Sequence, residues 1–311
     1  MYYYDWMIEI VSMTDEYCVA KNIQDSSNRK SREIGRYWPS EASVEYINEC
    51  GVRSVVGKCA RAIWYSIHNI EQTNPPDAVG LRKMGAGRII EAEERRIGEE
   101  MGIVVRDNDI PDEFRCEGMG PRRFIKHISD EIRISGEIDM LYKVDGKYYI
   151  GELKSGYGYM FNRDIITKGQ PKKEHLMQIA LYLDTFKQVE QGILLYIDRG
   201  EAEKRQFIIQ VLPNGIITVD GEAESIVTLN GILSRLDYVH YHSKENAPPT
   251  GDFTGFYSDQ TIESYHKAGI ISKTKYNNYK KGRCGFLGDF QCMYCSYKQL
   301  CINEQGMRKD I

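Results

Sequence analysis

The 311-residue sequence contains no apolar run close to the ~18 residues that a membrane helix needs, so no spanning segment is expected. Residues Met1 to Val11 lack a basic n-region and include Asp5 and Glu9, which does not read as a signal peptide. A cytoplasmic protein without a membrane partner is the expectation. No sign of charge dominates, since 41 Lys and Arg against 45 Asp and Glu leave a net −4. That balance describes the whole molecule and would hide a local basic surface, so a nucleic-acid partner is neither suggested nor excluded by it. Internal repeats and low-complexity tracts are also missing. What remains is 41% hydrophobic and 28% charged, the profile of a globular chain rather than a disordered or fibrous one. At roughly 150 residues per domain the length suits about two domains or one large α/β domain.

Eight cysteines in a chain read as intracellular do not suggest a disulfide framework. Cys18, Cys50, Cys59 and Cys116 are scattered, whereas Cys284, Cys292, Cys295 and Cys301 crowd the C-terminal end. Crowding of that kind usually means metal.

Along the chain, residues 1–40 read as an appendage, aromatic at Tyr2, Tyr3, Tyr4 and Trp6 and polar around Gln24 to Arg32. Residues 41–80 read as a helical segment, broken near Gly51 and Gly57 and stopped by Asn74-Pro75-Pro76. A charged amphipathic helix is expected from about Leu81 to Met101, with Gly87, Glu91, Glu94 and Gly98 on one stripe. The run Ile132 to Tyr142 alternates apolar and polar residues, which predicts a strand. Asp145-Gly146 predicts a hairpin turn, and Lys147 to Lys154 returns as a second strand. A helix is expected over 173–189, strands near 192–198, 205–211 and 215–219, and a further helix over 222–238. Pro248-Pro249 opens an irregular C-terminal segment. Residues 81–245 form the expected catalytic core and 246–311 the cysteine-bearing segment.

Glu152 and Lys154 are two apart on a strand and project from one face. Asp139 lies on the preceding strand of the same hairpin. Two carboxylates and a lysine suit metal-assisted phosphodiester hydrolysis: the acids hold one or two divalent ions, and the cation offsets transition-state charge. A surface ion pair is the bland alternative. Apolar and aromatic neighbours (Tyr148, Tyr149, Ile150, Leu153) argue instead for a buried strand, where unpaired charge is costly. Gln178 and Tyr182 are four apart on the following helix, with His175 on their stripe. From spacing alone they read as an amphipathic helix whose tyrosine caps the core.

The ordered set Gly87-x-x-x-Glu91, Gly136-Glu137-Ile138-Asp139, Gly151-Glu152-Leu153-Lys154-Ser155 and Gln178-Ile179-Ala180-Leu181-Tyr182 resembles the RecB-type branch of the PD-(D/E)xK nucleases. The resemblance covers roughly residues 57 to 301. It implies an α/β fold with a central mixed β-sheet flanked by helices. It also implies Mg²⁺ or Mn²⁺ on Asp139 and Glu152, Lys154 as the group that positions the attacking water, and Gln178 and Tyr182 as orienting residues. Glu91 stands where that branch commonly has a metal-binding histidine; a carboxylate there favours hard ions with oxygen ligands.

Cys292-x-x-Cys295-x-x-x-x-x-Cys301 needs a fourth ligand for either zinc or an iron–sulfur centre. The segment Gly288 to Cys301 resembles the C-terminal clasp of iron–sulfur RecB-like nucleases, among them CRISPR-associated RecB-like exonucleases and AddB-type nuclease domains. There the fourth ligand is an N-terminal cysteine, and Cys59-Ala60-Arg61-Ala62-Ile63-Trp64-Tyr65 has that look. The resemblance implies a 4Fe–4S cluster on Cys59, Cys292, Cys295 and Cys301, in a helical subregion built from both ends of the chain. A local Zn²⁺ site with Cys284 replacing Cys59 is the alternative, and it closes a shorter loop.

Between Lys267 and Arg283 there are six basic residues and no acid, with Tyr276 and Tyr279 among them and Tyr265 just before. This pattern suits a single strand held by charge and stacking. Arg122, Arg123 and Lys126 are a second candidate for DNA contact. The expected function is a metal-dependent DNA exonuclease acting on single strands or ends in recombination, repair or spacer processing. Because helicase motifs are absent, unwinding would fall to a helicase or recombination partner. A non-catalytic DNA-binding subunit and a zinc-stabilised endonuclease are the rival readings.

Overall fold

The computed structural model of the chain describes residues 2–27, 31–48, 51–283 and 287–304. Cys50 and Cys284 lie outside them, and with Cys284 the local zinc alternative.

Helix α1 (Tyr2–Ser27) lies along α3 (Ala78–Glu100) and is tied to it by an Arg82–Asp15 ion pair. Strand β1 (Arg36–Tyr37) is no loose appendage, because Tyr37 is fully buried and β1 pairs in parallel with β5 (Arg133–Glu137). Antiparallel β4 (Arg123–His127) completes that three-stranded sheet.

The described residues from 42 to 59 are not helical. Strands β2 (Ser43–Ile47) and β3 (Arg53–Gly57) form an antiparallel pair. Val44, Tyr46, Val55 and Val56 prefer a pleated surface, and that local preference wins over the helical spacing. Gly57 ends β3 at φ 102°, where an added Cβ would fall 2.4 Å from the Ala42 carbonyl. Helix α2 (Ala60–Ile67) follows, with its apolar face buried.

The main sheet has six strands in the order β11-β10-β9-β8-β7-β6. These are β6 (Met140–Val144), β7 (Lys147–Gly156), β8 (Gly192–Asp198), β9 (Lys204–Val211), β10 (Ile216–Val219) and β11 (Glu222–Thr228). All neighbours are antiparallel except β7 and β8, which are parallel, so the sheet is mixed as expected. The β6–β7 turn uses Asp145 and Gly146 at φ 50° and 78°, the pair of positive values a two-residue hairpin requires. The chain crosses from β7 to β8 through α4 (Tyr159–Phe161), a π-helical turn (Asn162–Thr167) and α5 (Lys173–Thr185).

Alternation along β7 sorts its side chains. Leu153 joins Met140, Ile197 and Ile90 beneath α3, while Ile150 packs with Leu194, Tyr196 and the buried side of α5. Glu152 and Lys154 are paired in register with Leu194 and Tyr196, so they share the α5 face.

Two further expectations change. The run Ile132–Tyr142 is two strands rather than one: β5 belongs to the smaller sheet and β6 to the larger, with Ile138 and Asp139 between them. Ile134, Ile138 and Met140 are all buried, so apolar alternation runs through the break and conceals it. The expected helix at 222–238 begins as β11; α6 (Leu229–Lys244) starts only where Thr228 caps it by accepting the Gly231 N–H at 3.1 Å. The C-terminal segment carries α7 (Asp259–Lys267), α8 (Lys273–Lys280), α9 (Phe290–Met293) and α10 (Lys298–Glu304). Among the described residues no helix is long and apolar enough to cross a membrane.

Candidate active site

Asp139 precedes the edge strand β6 instead of lying within a strand. Its Oδ2 accepts the Leu153 N–H at 2.8 Å, which fixes the carboxylate beside β7. Two arginines grip the same residue from behind. Arg95 Nε donates to the Asp139 carbonyl at 3.2 Å, and Arg122 Nη1 donates to the carbonyls of Ile138 and Asp139 at 3.0 and 3.2 Å. Sequence spacing gave no hint of this grip, because both arginines act on backbone oxygens from remote segments.

The Glu152 side chain has no exposure, and Lys154, 27% exposed, forms an ion pair with its Oε1. The Tyr182 hydroxyl lies against the same carboxylate. Burial pushes the Glu152 carboxyl up, although Lys154 opposes the shift. Burial and then Glu152 push Asp139 up to about 7. Burial disfavours the Lys154 cation, but Glu152 and Asp139 outweigh it and hold the lysine above its ordinary range. Two proton-hungry carboxylates behind one lysine leave the group short of positive charge.

Glu91 reaches this group from α3. It is paired with Arg95 at 2.9 Å, and burial followed by the Asp139 charge raises its carboxyl. Among the described residues no three His, Cys, Asp or Glu side chains form a ready-made metal cage. The donor set still fits a divalent ion: hard oxygens, one carboxylate fully buried with Lys154 as its counter-charge, and a second held beside β7 just before the adjoining strand.

Gln178 Nε2 donates to the Tyr182 hydroxyl at 2.7 Å, and that hydroxyl donates to the Glu137 carbonyl at 3.2 Å. The pair therefore does more than cap the core, since it ties α5 to the segment leading into Asp139. His175 occupies the same stripe. Tyr196 OH accepts the Lys172 N–H at 3.0 Å and shares a hydrogen bond with His175 Nδ1, 2.7 Å away. Burial, with Lys154 and Lys172 nearby, holds this histidine neutral.

Cys59, Cys292, Cys295 and Cys301 line one pocket, together with Ala62, Tyr65 and Phe253. Burial and the neighbouring sulfurs push Cys292 up to about 12. Burial, against the opposing charge of Arg61, leaves Cys301 raised to about 11. Burial raises Cys59 as well. These four sulfurs, from both ends of the chain, share one pocket, but among the described residues they do not close into a group of three or more metal donors. Arg61 is what joins those ends: Nη1 donates to the Pro249 carbonyl at 2.8 Å, and Nη2 pairs with Glu304 at 2.6 Å.

The expected DNA-contact surfaces change. Tyr265, Tyr276 and Tyr279 pack around Ile262, Ile271 and Leu287, and Tyr276 stacks on His266 with ring centroids 4.1 Å apart. These half-buried rings form a small core between α7 and α8. Arg122 is paired with Asp107 and Glu137, and Lys126 with Asp184, so both serve the fold, while exposed Arg123 is paired with Glu137.

No curated protein matches the chain. Similar solved structures include that of SSO0001, at 13% identity and TM-score 0.41, covering 84% of this chain and 96% of that one. Another is an alkaline exonuclease from Laribacter hongkongensis, LHK-Exo, at 12% identity and TM-score 0.32, covering 68% and 93%. The same enzyme in complex with dAMP gives a TM-score of 0.34. Residues 52–302 match the PD-(D/E)XK nuclease superfamily. That span takes in the whole six-stranded sheet, the carboxylate–lysine group and the four cysteines of the pocket, and the chain belongs to the PD-(D/E)XK nuclease superfamily.

Proposed function

We propose that this nuclease is a DNA exonuclease of the RecB-type branch, dependent on Mg²⁺ or Mn²⁺ and acting on single strands or DNA ends. The fully buried Glu152 carboxylate carries the reading. Its side chain is unexposed, Lys154 is its ion-pair partner, and Asp139 is held beside the same strand by the Leu153 N–H. A divalent ion supplies Lewis acidity toward the phosphate and a more acidic water. Asp139 and Glu152 are its ligands and Glu91 completes the acidic set. Lys154 orients the nucleophilic water and offsets the negative charge that grows on the phosphate. Gln178 and Tyr182 keep Asp139 in place through the Glu137 carbonyl.

We assign Cys59, Cys292, Cys295 and Cys301 as ligands of a 4Fe–4S cluster. Hydrolysis needs no redox chemistry, so the cluster staples the two ends of the core. A helicase or recombination partner would supply unwound ends.

End-labelled single- and double-stranded DNA incubated with Mg²⁺, Mn²⁺ or EDTA tests the assignment. Stepwise shortening that EDTA stops is expected. Internal cuts in a circular substrate would favour an endonuclease, and no cleavage with either metal would favour a non-catalytic DNA-binding subunit.

A further inference from the structure

The strand that carries Glu152 and Lys154 ends in a cluster of exposed aromatic rings and cations that the proposed chemistry does not use. Gly156 closes β7, and Phe161 folds back onto it so tightly that an added Cβ would lie 2.2 Å from the ring. Phe161 also packs edge-on against Tyr196, with centroids 6.0 Å apart. Gly158, at φ 91°, lets the chain turn between them. With Phe161 anchored inward, Tyr157 and Tyr159 remain outside, 53% and 75% exposed.

Cations flank both rings. Lys83 of α3 and Arg199 beyond β8 sit over Tyr157, 5.7 and 5.1 Å from its centroid, and Arg163 lies 5.6 Å from Tyr159. Asp164 neutralises Arg163 at 2.6 Å, whereas neither Lys83 nor Arg199 has an ion-pair partner among the described residues. The Arg199 N–H donates to the Gly156 carbonyl at 2.7 Å, and its Nη1 donates to the Lys83 carbonyl at 3.2 Å. Its Nε is buried without a partner. The Lys83 carbonyl thus holds the guanidinium, whose charge has no ion-pair partner among the described residues.

We infer that Tyr157 and Tyr159, with Lys83 and Arg199, form a stacking platform for the unpaired bases of a single nucleic-acid strand leading to the Glu152–Lys154 group. Outward rings offer faces to which any base can stack, and the two cations take the phosphates. Nothing in the cluster reads base edges, so binding is indifferent to sequence. Tyr157 directly follows β7, so the rings lie at the C-terminal end of the strand that carries Glu152 and Lys154. The inference rests on the nuclease reading for its purpose but is tested by binding alone.

Fluorescence anisotropy of a labelled oligothymidylate is measured in EDTA and again in Ca²⁺, so that cleavage plays no part. Replacing both rings (Tyr157→Ala with Tyr159→Ala) should weaken binding by about 5- to 150-fold per stacked base lost, while Tyr157→Phe with Tyr159→Phe retains it. Arg199→Ala should reduce the slope of log affinity against log salt by about 0.7. Unchanged unfolding temperatures confirm that these exposed substitutions leave the fold intact. The platform is overturned if the alanine pair binds like the parent, if the parent binds no oligonucleotide, or if a duplex of equal length binds equally well. A parent that binds through these rings yet cleaves nothing would remove the catalytic reading and leave the platform standing.

Discussion

Asp139 accepts a hydrogen bond from the Leu153 N–H at 2.8 Å, and Leu153 is the residue between Glu152 and Lys154. The acid before one strand is therefore held by the backbone of the next, and strand register sets its position relative to the other two groups.

The pH dependence of stability should reveal that arrangement. Asp139 is pushed up to about 7 in the folded protein, against about 3.9 for an unperturbed aspartate. The folded state therefore binds the proton more tightly, so the metal-free protein should lose stability as pH rises from about 4 to about 7 and then level off. Asp139→Asn should flatten that part of the profile. Thermal unfolding in EDTA at several pH values checks this; equal slopes for parent and variant would contradict it. Mg²⁺ should stabilise the parent more at pH 8 than at pH 5.5, because ion and proton compete for the same carboxylates.

Lys154→Ala should lower the cleavage rate by about 10²–10³, the usual cost of losing one transition-state donor. It also strips the buried Glu152 of its counter-charge, a loss of up to ~3–5 kcal/mol for a buried pair and less here because Lys154 is 27% exposed. The metal-free variant should melt earlier than the parent, and Mg²⁺ should narrow the gap. Quenched-flow turnover equal to the parent's would remove Lys154 from the chemistry.

Glu91→Ala should raise the Mg²⁺ concentration needed for half-maximal rate. It should also free Arg95, which now pairs with Glu91 at 2.9 Å. Glu91→His should keep or raise the rate in Mn²⁺, since imidazole suits a transition metal better than Mg²⁺. A metal titration of Glu91→Ala that superimposes on the parent's would leave Glu91 as a partner of Arg95 only.

Anaerobically purified protein should be brown, absorbing broadly in the region expected of thiolate-bound iron–sulfur centres. Cys59→Ala should bleach it and lower the unfolding temperature, because the change opens a tether between the two ends of the fold. Cys284→Ala should do neither. A colourless protein with one zinc per chain, losing metal on Cys284→Ala but not on Cys59→Ala, would overturn the cluster and leave the nuclease assignment in place.

The elements that sequence made legible are those with one face and one turn. The β6–β7 hairpin announces itself through Asp145-Gly146, and α3 and α5 through their stripes. The break at Ile138–Asp139 was hidden because two sheets bury alternate residues in phase across it. The basic tract between Lys267 and Arg283 misled for a related reason. Interleaved tyrosines look alike whether they face solvent or, as with Tyr276 on His266, a small core. Arg61 was noticed only as a companion of Cys59. Its actual work, bonding Pro249 and Glu304, spans a sequence distance that no local pattern encodes.

The division of residues 133–144 between two sheets has a mechanical meaning. Asp139 sits at the seam, bonded forward to β7 through Leu153, while Arg122 clamps its carbonyl and that of Ile138. Any change in the angle between the sheets must pull on those bonds before it strains either strand pairing. The spacing of the two carboxylates is thus geared to the dihedral between the sheets. A load that splays the sheets would disarm the site without unfolding a strand.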